Sequence, residues 1–230
     1  MSKNPFQVVR DFEAALAEYT GAPYVVTTTS CTMALLLAVA WHLRTTERVE
    51  PSGVRVLSRR VTEGRHGPER QAIEIPKRTY VGVPMSIIHA GGSPTFRDEE
   101  WVGSYRLRPL PVWDCARIFT SGMWDRPGGM ACVSFHWAKT LGIQQGGAIL
   151  LDDLVAYHWL RCASFDGRVE GVAPKDQAGW ELGWHAYMSP ETAAAGLVRL
   201  ANLPRHNEPL PWGPGTDSDY PDLSKIDLFK

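Results

Sequence analysis

Between Thr32 and Leu43 the chain reads TMALLLAVAWHL, a stretch that is apolar on every side of a helix. Such a helix cannot lie on a surface; it has to be covered all round. Just before it stands APYVVTTTS, a short β-branched run bounded by turn formers, which predicts a strand. A strand, a Ser-Cys-Thr turn and a fully buried helix form the opening of an α/β unit. An amphipathic helix is predicted ahead of it, over 5–19, where Phe6, Val9, Phe12, Leu16 and Tyr19 recur at helical spacing before Gly21.

The rest of the chain keeps that alternation. AIEIP reads as a strand, VGVPMSIIHAGG as a short helix ending in glycine, and SPTF as another strand. LPVWDCA is an apolar strand ending on Asp114, MACVSF one ending near Ser134, and GGAILL a further strand. Helices are predicted over 152–162 and 190–203. Together these give a mostly parallel mixed sheet covered by helices on both faces. Residues 44–71 interrupt the pattern with Pro51, Gly53, Gly64, Gly67 and Pro68, and VRVLSRRV there suggests a short hairpin. From Arg44 to Arg78 there are nine Lys or Arg against five Glu. Because the charges are interspersed, a solvated insertion is the simpler reading and an anion-binding surface the sharper one. Over 204–230 the five prolines 204, 209, 211, 214 and 221 predict an extended tail, one able to lie along a neighbouring subunit.

Composition narrows the function classes. With 230 residues, 44% of them hydrophobic and 21% charged, the chain can build one substantial globular domain. A formal net charge of −1 gives no global attraction to nucleic acid or membrane. No apolar run has membrane-spanning length, and MSKNPFQVVRDFE lacks the apolar centre of a secretory signal. Cys31, Cys115, Cys132 and Cys162 lack CxxC spacing and read as reduced, packed thiols of a cytoplasmic protein. His158 and Cys162 would share a helix face, but a lone pair is more often packing than a metal site.

In open α/β sheets, ligands gather beyond the carboxyl ends of strands. The Ser30-Cys31-Thr32 turn, Thr79-Tyr80, Asp114, and Ser134 with Lys139 all fall there. Singly, each has a structural role to hand: Thr32 a helix cap, Tyr80 a core aromatic, Asp114 a loop cap, Lys139 a solvated charge. As a set they supply an amine, a carboxylate, an aromatic face, and hydroxyls at a helix N-terminus. That set suits pyridoxal 5'-phosphate, which needs an amine for a Schiff base, an anion for its ring nitrogen and donors for its phosphate.

The sequence also resembles the DegT/DnrJ/EryC1/StrS family of pyridoxal phosphate-dependent sugar aminotransferases. The pieces that carry the resemblance are FEAALAEYTGAPYVVTTTSCTMAL, IPKRTYVGVPMSIIHAGGSPTFRD, VWDCARIFTSG and VSFHWAKTLGIQQGGAILLDD, with LGWHAYMSPETAAAGLVRL weaker. It implies the aspartate-aminotransferase-like fold (fold type I), with 1–203 as the cofactor-binding large domain, 44–71 as an insertion and 204–230 as a tail where a small domain usually follows. It places the Schiff-base lysine at Lys139 and the pyridine-nitrogen partner at Asp114. Tyr80 would stack on the ring, while Ser134, Thr32 and the backbone of Cys31 would hold the phosphate. His136 is a weaker candidate for a substrate contact.

Departures from the family pattern fall around these residues. Cys31 replaces a small residue, which is tolerable where only its amide binds. Arg117 stands where Gln or His usually contacts the cofactor's phenolic oxygen, and it brings a permanent charge. Trp184-His185-Ala186-Tyr187 replaces a Tyr-Asn-x-Arg run, so His185 takes the place of an asparagine that reaches a partner subunit's phosphate. The expectation is therefore a cytoplasmic homodimer with a shared site, moving an amino group from an amino acid to a keto sugar or nucleotide-sugar. Two alternatives stay open: a different reaction on the same cofactor, such as decarboxylation, elimination or nucleotide modification, and a cofactor-binding relative without turnover.

Overall fold

The computed structural model describes residues 4–44, 46–49, 55–58, 70–213 and 219–229. Its centre is a five-stranded sheet in the order β1-β9-β8-β7-β6. These strands are β1 (Tyr24–Thr28), β6 (Tyr105–Arg106), β7 (Val112–Asp114), β8 (Met130–Ser134) and β9 (Gly147–Leu151). β9 lies antiparallel between β1 and β8, β7 pairs parallel with β8, and β6 closes the edge antiparallel to β7. A parallel pair, β4 (Ala72–Pro76) and β5 (Ser93–Arg97), extends this surface. The link is reciprocal: Glu74 N donates to Arg108 O at 2.7 Å, and Arg108 N to Glu74 O at 3.0 Å. β1, β4, β5, β7 and β8 therefore share one direction, and only β6 and β9 oppose it. The expected mixed, mostly parallel sheet is present in strand direction, although most neighbours in the five-stranded part pair antiparallel.

Both faces of the sheet are covered, as its alternation requires. Val25, Ala131, Val133, Ala148 and Leu150 face one core with α1 (Gln7–Thr20) and α5 (Pro190–Ala201). Val26, Met130, Cys132, Ile149 and Leu151 face the other, under α2 (Cys31–Arg44), α3 (Gly82–His89) and α4 (Leu154–Ser164). Helix α2 packs on the sheet and also against both α3 and α4. This explains its apolar circumference: every residue from Ala34 to Trp41 is buried.

The 44–71 insertion contains the antiparallel hairpin β2 (Thr46–Val49) and β3 (Arg55–Ser58). The anion-binding reading of that insertion rests on charges that lie mostly outside the described residues. The tail differs from the extended arm predicted over 204–230. Its described residues pack on their own domain, with Leu223 N donating to Lys77 O at 2.8 Å and the Phe229 ring lying 6.0 Å from that of Phe96. The reason is the apolar side chains that follow the prolines: Leu223 and Phe229 are both buried.

Helices α1 and α5 approach each other so closely that a Cβ on Gly196 would sit 2.4 Å from Cζ of the fully buried Phe12. Alanine at 196 would gain about 1 kcal/mol of helix propensity. Overpacking of a filled core costs about 1–3 kcal/mol, and the Phe12 ring is fully buried with the Phe135 ring 5.7 Å from it. Thermal or urea unfolding of Gly196→Ala is therefore expected to show net destabilisation. A variant more stable than wild type would mean that the ring relaxes freely.

Candidate active site

The pocket begins where β1 turns into α2. Ser30 caps that helix, its Oγ accepting from Met33 N at 3.2 Å. The Thr32 hydroxyl is therefore not the cap and instead lines a cavity. Ser30 bridges to Gly146, and a Cβ on Gly147 would lie 2.5 Å from Cys31 N. Glycine at 147 thus lets the start of β9 run against the first turn of α2. The N–H groups of that first turn have no acceptor within the helix and carry the positive end of its dipole.

From β7 comes Asp114, buried at 5% exposure. Its Oδ2 accepts from Tyr105 Oη at 2.8 Å and its Oδ1 from Ala116 N at 2.9 Å. Tyr105 Oη is also 2.6 Å from Thr79 Oγ1. Asp114 pairs with Cys132 in the sheet, so Ser134 ends β8 two residues further toward the same edge. Lys139 sits in the loop between β8 and β9. That loop is held by its own backbone: Phe135 N to Gly146 O at 2.9 Å, Ile143 N to Phe135 O at 3.0 Å and Lys139 N to His136 O at 2.8 Å. Gly142 turns it at φ 56, a left-handed conformation that favours glycine.

All of these side chains meet in one cavity of about 420 Å³. Cys31, Thr32, Tyr80, Asp114, Arg117, Ser134, His136 and Lys139 all line it. Tyr80 is 56% exposed, so it is no core aromatic; its ring lies over Gly82, where a Cβ would come within 2.7 Å of Cε1. Lys139 is half-buried rather than solvated. Arg117 is buried and held by the tail, through Leu210 O at 3.1 Å from its Nε. Only His185 lies elsewhere: it is exposed, with Nδ1 3.1 Å from Asp166 Oδ2, and does not line the pocket of its own chain.

Burial shapes the electrostatics of the two charged groups. It pushes the Asp114 carboxyl up, against the opposing pull of the Ala116 N–H, the Tyr105 hydroxyl and the Lys139 and Arg117 charges. It pushes the Lys139 amine down, helped by Arg117 and opposed by Asp114. Desolvation thus draws an acid and an amine toward each other in proton affinity, the arrangement that proton transfer requires.

Comparison with known proteins identifies the family and the fold. The family model for the DegT/DnrJ/EryC1/StrS aminotransferases matches residues 3–50 and 112–209, more than half of the chain. The chain belongs to that family. Among solved structures, a Bacillus cereus ATCC 10987 protein provisionally assigned as a PLP-dependent aminotransferase aligns at TM-score 0.63 and 17% identity, covering 86% of this chain and 59% of its own. The sugar aminotransferase CalS13 from Micromonospora echinospora aligns at TM-score 0.62 and 18% identity, covering 85% and 60%. The GDP-4-keto-6-deoxymannose-3-dehydratase ColD aligns at TM-score 0.61 and 15% identity, covering 86% and 61%. These likenesses establish the fold as that of the PLP-dependent aminotransferases. The chain spans about three-fifths of the length of the structures it matches.

Sequence reasoning missed Tyr105, Trp101 and Tyr220, which hold Asp114 or line the cavity. Tyr105 stands opposite Asp114 across the β6–β7 pair. The turn formers Pro109 and Pro111 between them were the available signal for such a hairpin. Trp101 and Tyr220 come from segments without strand or helix periodicity, so nothing local marked them.

The two neighbours of Lys139 act on it in opposite directions, and this can be measured. Acylation by acetic anhydride reads the neutral amine, so in cofactor-free protein its pH midpoint at Lys139 should fall below the ordinary lysine value of 10.5. Arg117→Met removes a repelling cation and should raise the midpoint; Asp114→Asn removes an attracting anion and should lower it further. Peptide mass spectrometry after timed labelling checks both signs.

Proposed function

We propose that this protein is a pyridoxal phosphate-dependent aminotransferase that moves an amino group from an amino acid to a keto sugar, nucleotide-sugar or similar acceptor. The observation that carries the reading is the meeting of the Lys139 amine and the buried Asp114 carboxylate in one cavity with the N-terminus of α2. The donor set fits the cofactor. Its phosphate would be bound by the N–H groups at Cys31 and Thr32 and by the Thr32 and Ser134 hydroxyls. Each Asp114 oxygen keeps lone-pair capacity beyond its one hydrogen bond, enough to accept from a protonated ring nitrogen. The exposed Tyr80 ring is the available stacking face. The cavity volume falls in the range usual for cofactor sites.

When bound, pyridoxal phosphate supplies the electron sink that lets a proton leave the α-carbon of an amino acid. The protein's part is binding and proton handling. Asp114, shielded from water and fixed by Tyr105 and the Ala116 N–H, would hold a positive charge at the cofactor's ring nitrogen. Lys139, kept low in proton affinity by burial, can take a proton at Nζ and give it back. His136, exposed at the pocket lining, is placed to touch substrate. His185 is exposed and does not line the cavity of its own chain, which suits a homodimer in which each chain completes the other's phosphate site.

A second reading is favoured by one finding, the fold likeness to ColD, a dehydratase rather than an aminotransferase. It keeps the cofactor and replaces amino transfer with elimination.

The purified protein is expected to bind pyridoxal phosphate with a visible absorbance band, and borohydride should fix the cofactor to the peptide carrying Lys139. Lys139→Ala should lose both signals. A protein that remains colourless and unlabelled at saturating cofactor would remove both readings. Given labelling, glutamate added without acceptor should yield about one equivalent of 2-oxoglutarate per site. Release of none, with a keto sugar dehydrated instead, would select the second.

A further inference from the structure

The tail meets the pocket through one aromatic and one cation. Tyr220 lines the cavity together with Arg117 and Lys139. Arg117 donates from Nε to Leu210 O at 3.1 Å, from Nη2 to Pro211 O, and its Nη1 lies 3.4 Å from Tyr220 Oη. The backbone answers in return, with Leu210 N donating to Arg117 O at 2.8 Å. The Tyr220 ring also packs against Trp212, tilted at a ring-centroid distance of 5.7 Å, and stacks with Trp101 at 6.4 Å. Trp212 Nε1 donates to Trp101 O at 2.7 Å, and the Arg78 side chain donates to Tyr220 O at 3.2 Å. The tail is thus tied to two of the loops that carry pocket residues, the one ending at Tyr80 and the one after Asp114.

We propose that the tail is a working wall of the pocket at its described residues Leu210, Pro211 and Tyr220, in which Tyr220 and the carbonyls of Leu210 and Pro211 are positioning groups that fix the Arg117 cation in the cavity shared with Lys139. Those carbonyls and the phenol are neutral, so they orient the guanidinium without cancelling its charge. The interaction energy of this charge with the amine varies inversely with distance, so an Arg117 released from the tail and moved away would act more weakly on Lys139. The other titratable groups lining the cavity around the amine are Asp114, the Cys31 thiol, His136, Tyr80 and Tyr220. Of these, only Tyr220 is substituted in the variants that loosen the tail's hold on Arg117, and Trp212→Ala leaves all of them in the sequence. The importance of the wall for catalysis rests on the reading of Lys139 as the reactive amine, but the positioning itself does not.

The test uses the full chain without cofactor. Acetic anhydride labelling across pH is read at Lys139 for Tyr220→Ala, Tyr220→Phe, Trp212→Ala and Arg117→Met. Tyr220→Ala and Trp212→Ala should raise the midpoint in the direction of Arg117→Met, and each should weaken pyridoxal phosphate binding several-fold in an absorbance titration. Tyr220→Phe, which keeps the ring stack and loses only the hydroxyl, should give a smaller shift of the same sign. A packing role alone would leave the Phe variant's midpoint at the wild-type value. The proposal is overturned if Arg117→Met shifts the midpoint while folded Tyr220→Ala does not. Should Tyr220→Ala fail to fold, an unshifted Tyr220→Phe has the same consequence. A shifted midpoint in protein that never takes up pyridoxal phosphate would retain the wall and discard the aminotransferase; normal uptake with unshifted midpoints would do the reverse.

Discussion

The contact between Gly147 and the Ser30–Cys31 peptide governs where everything in the pocket can stand. A single Cβ at 147 would collide with backbone at 2.5 Å, and backbone cannot step aside as a side chain can. With glycine there, β9 runs beside the turn that starts α2, and the β8–β9 loop carrying Lys139 opens over the helix N-terminus. The helix itself is immobilised by burial on every side. An amine on a loop is therefore held by backbone hydrogen bonds against a positive helix end, in a position that neither element would reach alone.

That positive end, the Arg117 cation and the Lys139 amine would repel one another in a cavity with no anion. Asp114 is the counterweight, and its cost of burial is offset locally by the Tyr105 hydroxyl and the Ala116 N–H. Those two donors leave the carboxylate satisfied along one side only. The arrangement explains why β6, only two residues long, matters: it brings Tyr105 level with Asp114 from the sheet edge.

The strands and helices of the core could be read from the chain because they repeat locally. The apolar circumference of 32–43 demanded cover on all sides, and the nearly continuous apolar runs MACVSF and GGAILL demanded cover on two faces. The residues at strand ends could be found because a strand end is visible in the same pattern. Tyr105 was harder to find because its strand is only two residues long, with the prolines of the β6–β7 turn as its one signal; Tyr220 could not be found, since its role comes from docking of the tail on segments far apart in the chain. The tail misled for a related reason. Prolines report the absence of regular structure, which is not the absence of packing, and Leu223 with Phe229 supplied the anchors.

The pocket has two sides of different origin. Lys139, Asp114, Ser134, Thr32 and Cys31 all lie in the segments that match the family model, whereas Tyr80, Trp101, Tyr105 and Tyr220 lie in 51–111 or beyond 209, outside it. The first group is polar and tied to strand ends and a helix end, where a shift of an ångström would break a hydrogen bond. The second is aromatic, and aromatic surfaces tolerate small displacements because their contacts are broad and weakly directional. A fold can therefore hold its reacting groups in one fixed frame while the wall against which a substrate rests is rebuilt from other parts of the chain. Arg117 lies in a matched segment but takes its hydrogen bonds from Leu210, Pro211 and Tyr220 outside it, so the two sides are joined at that side chain.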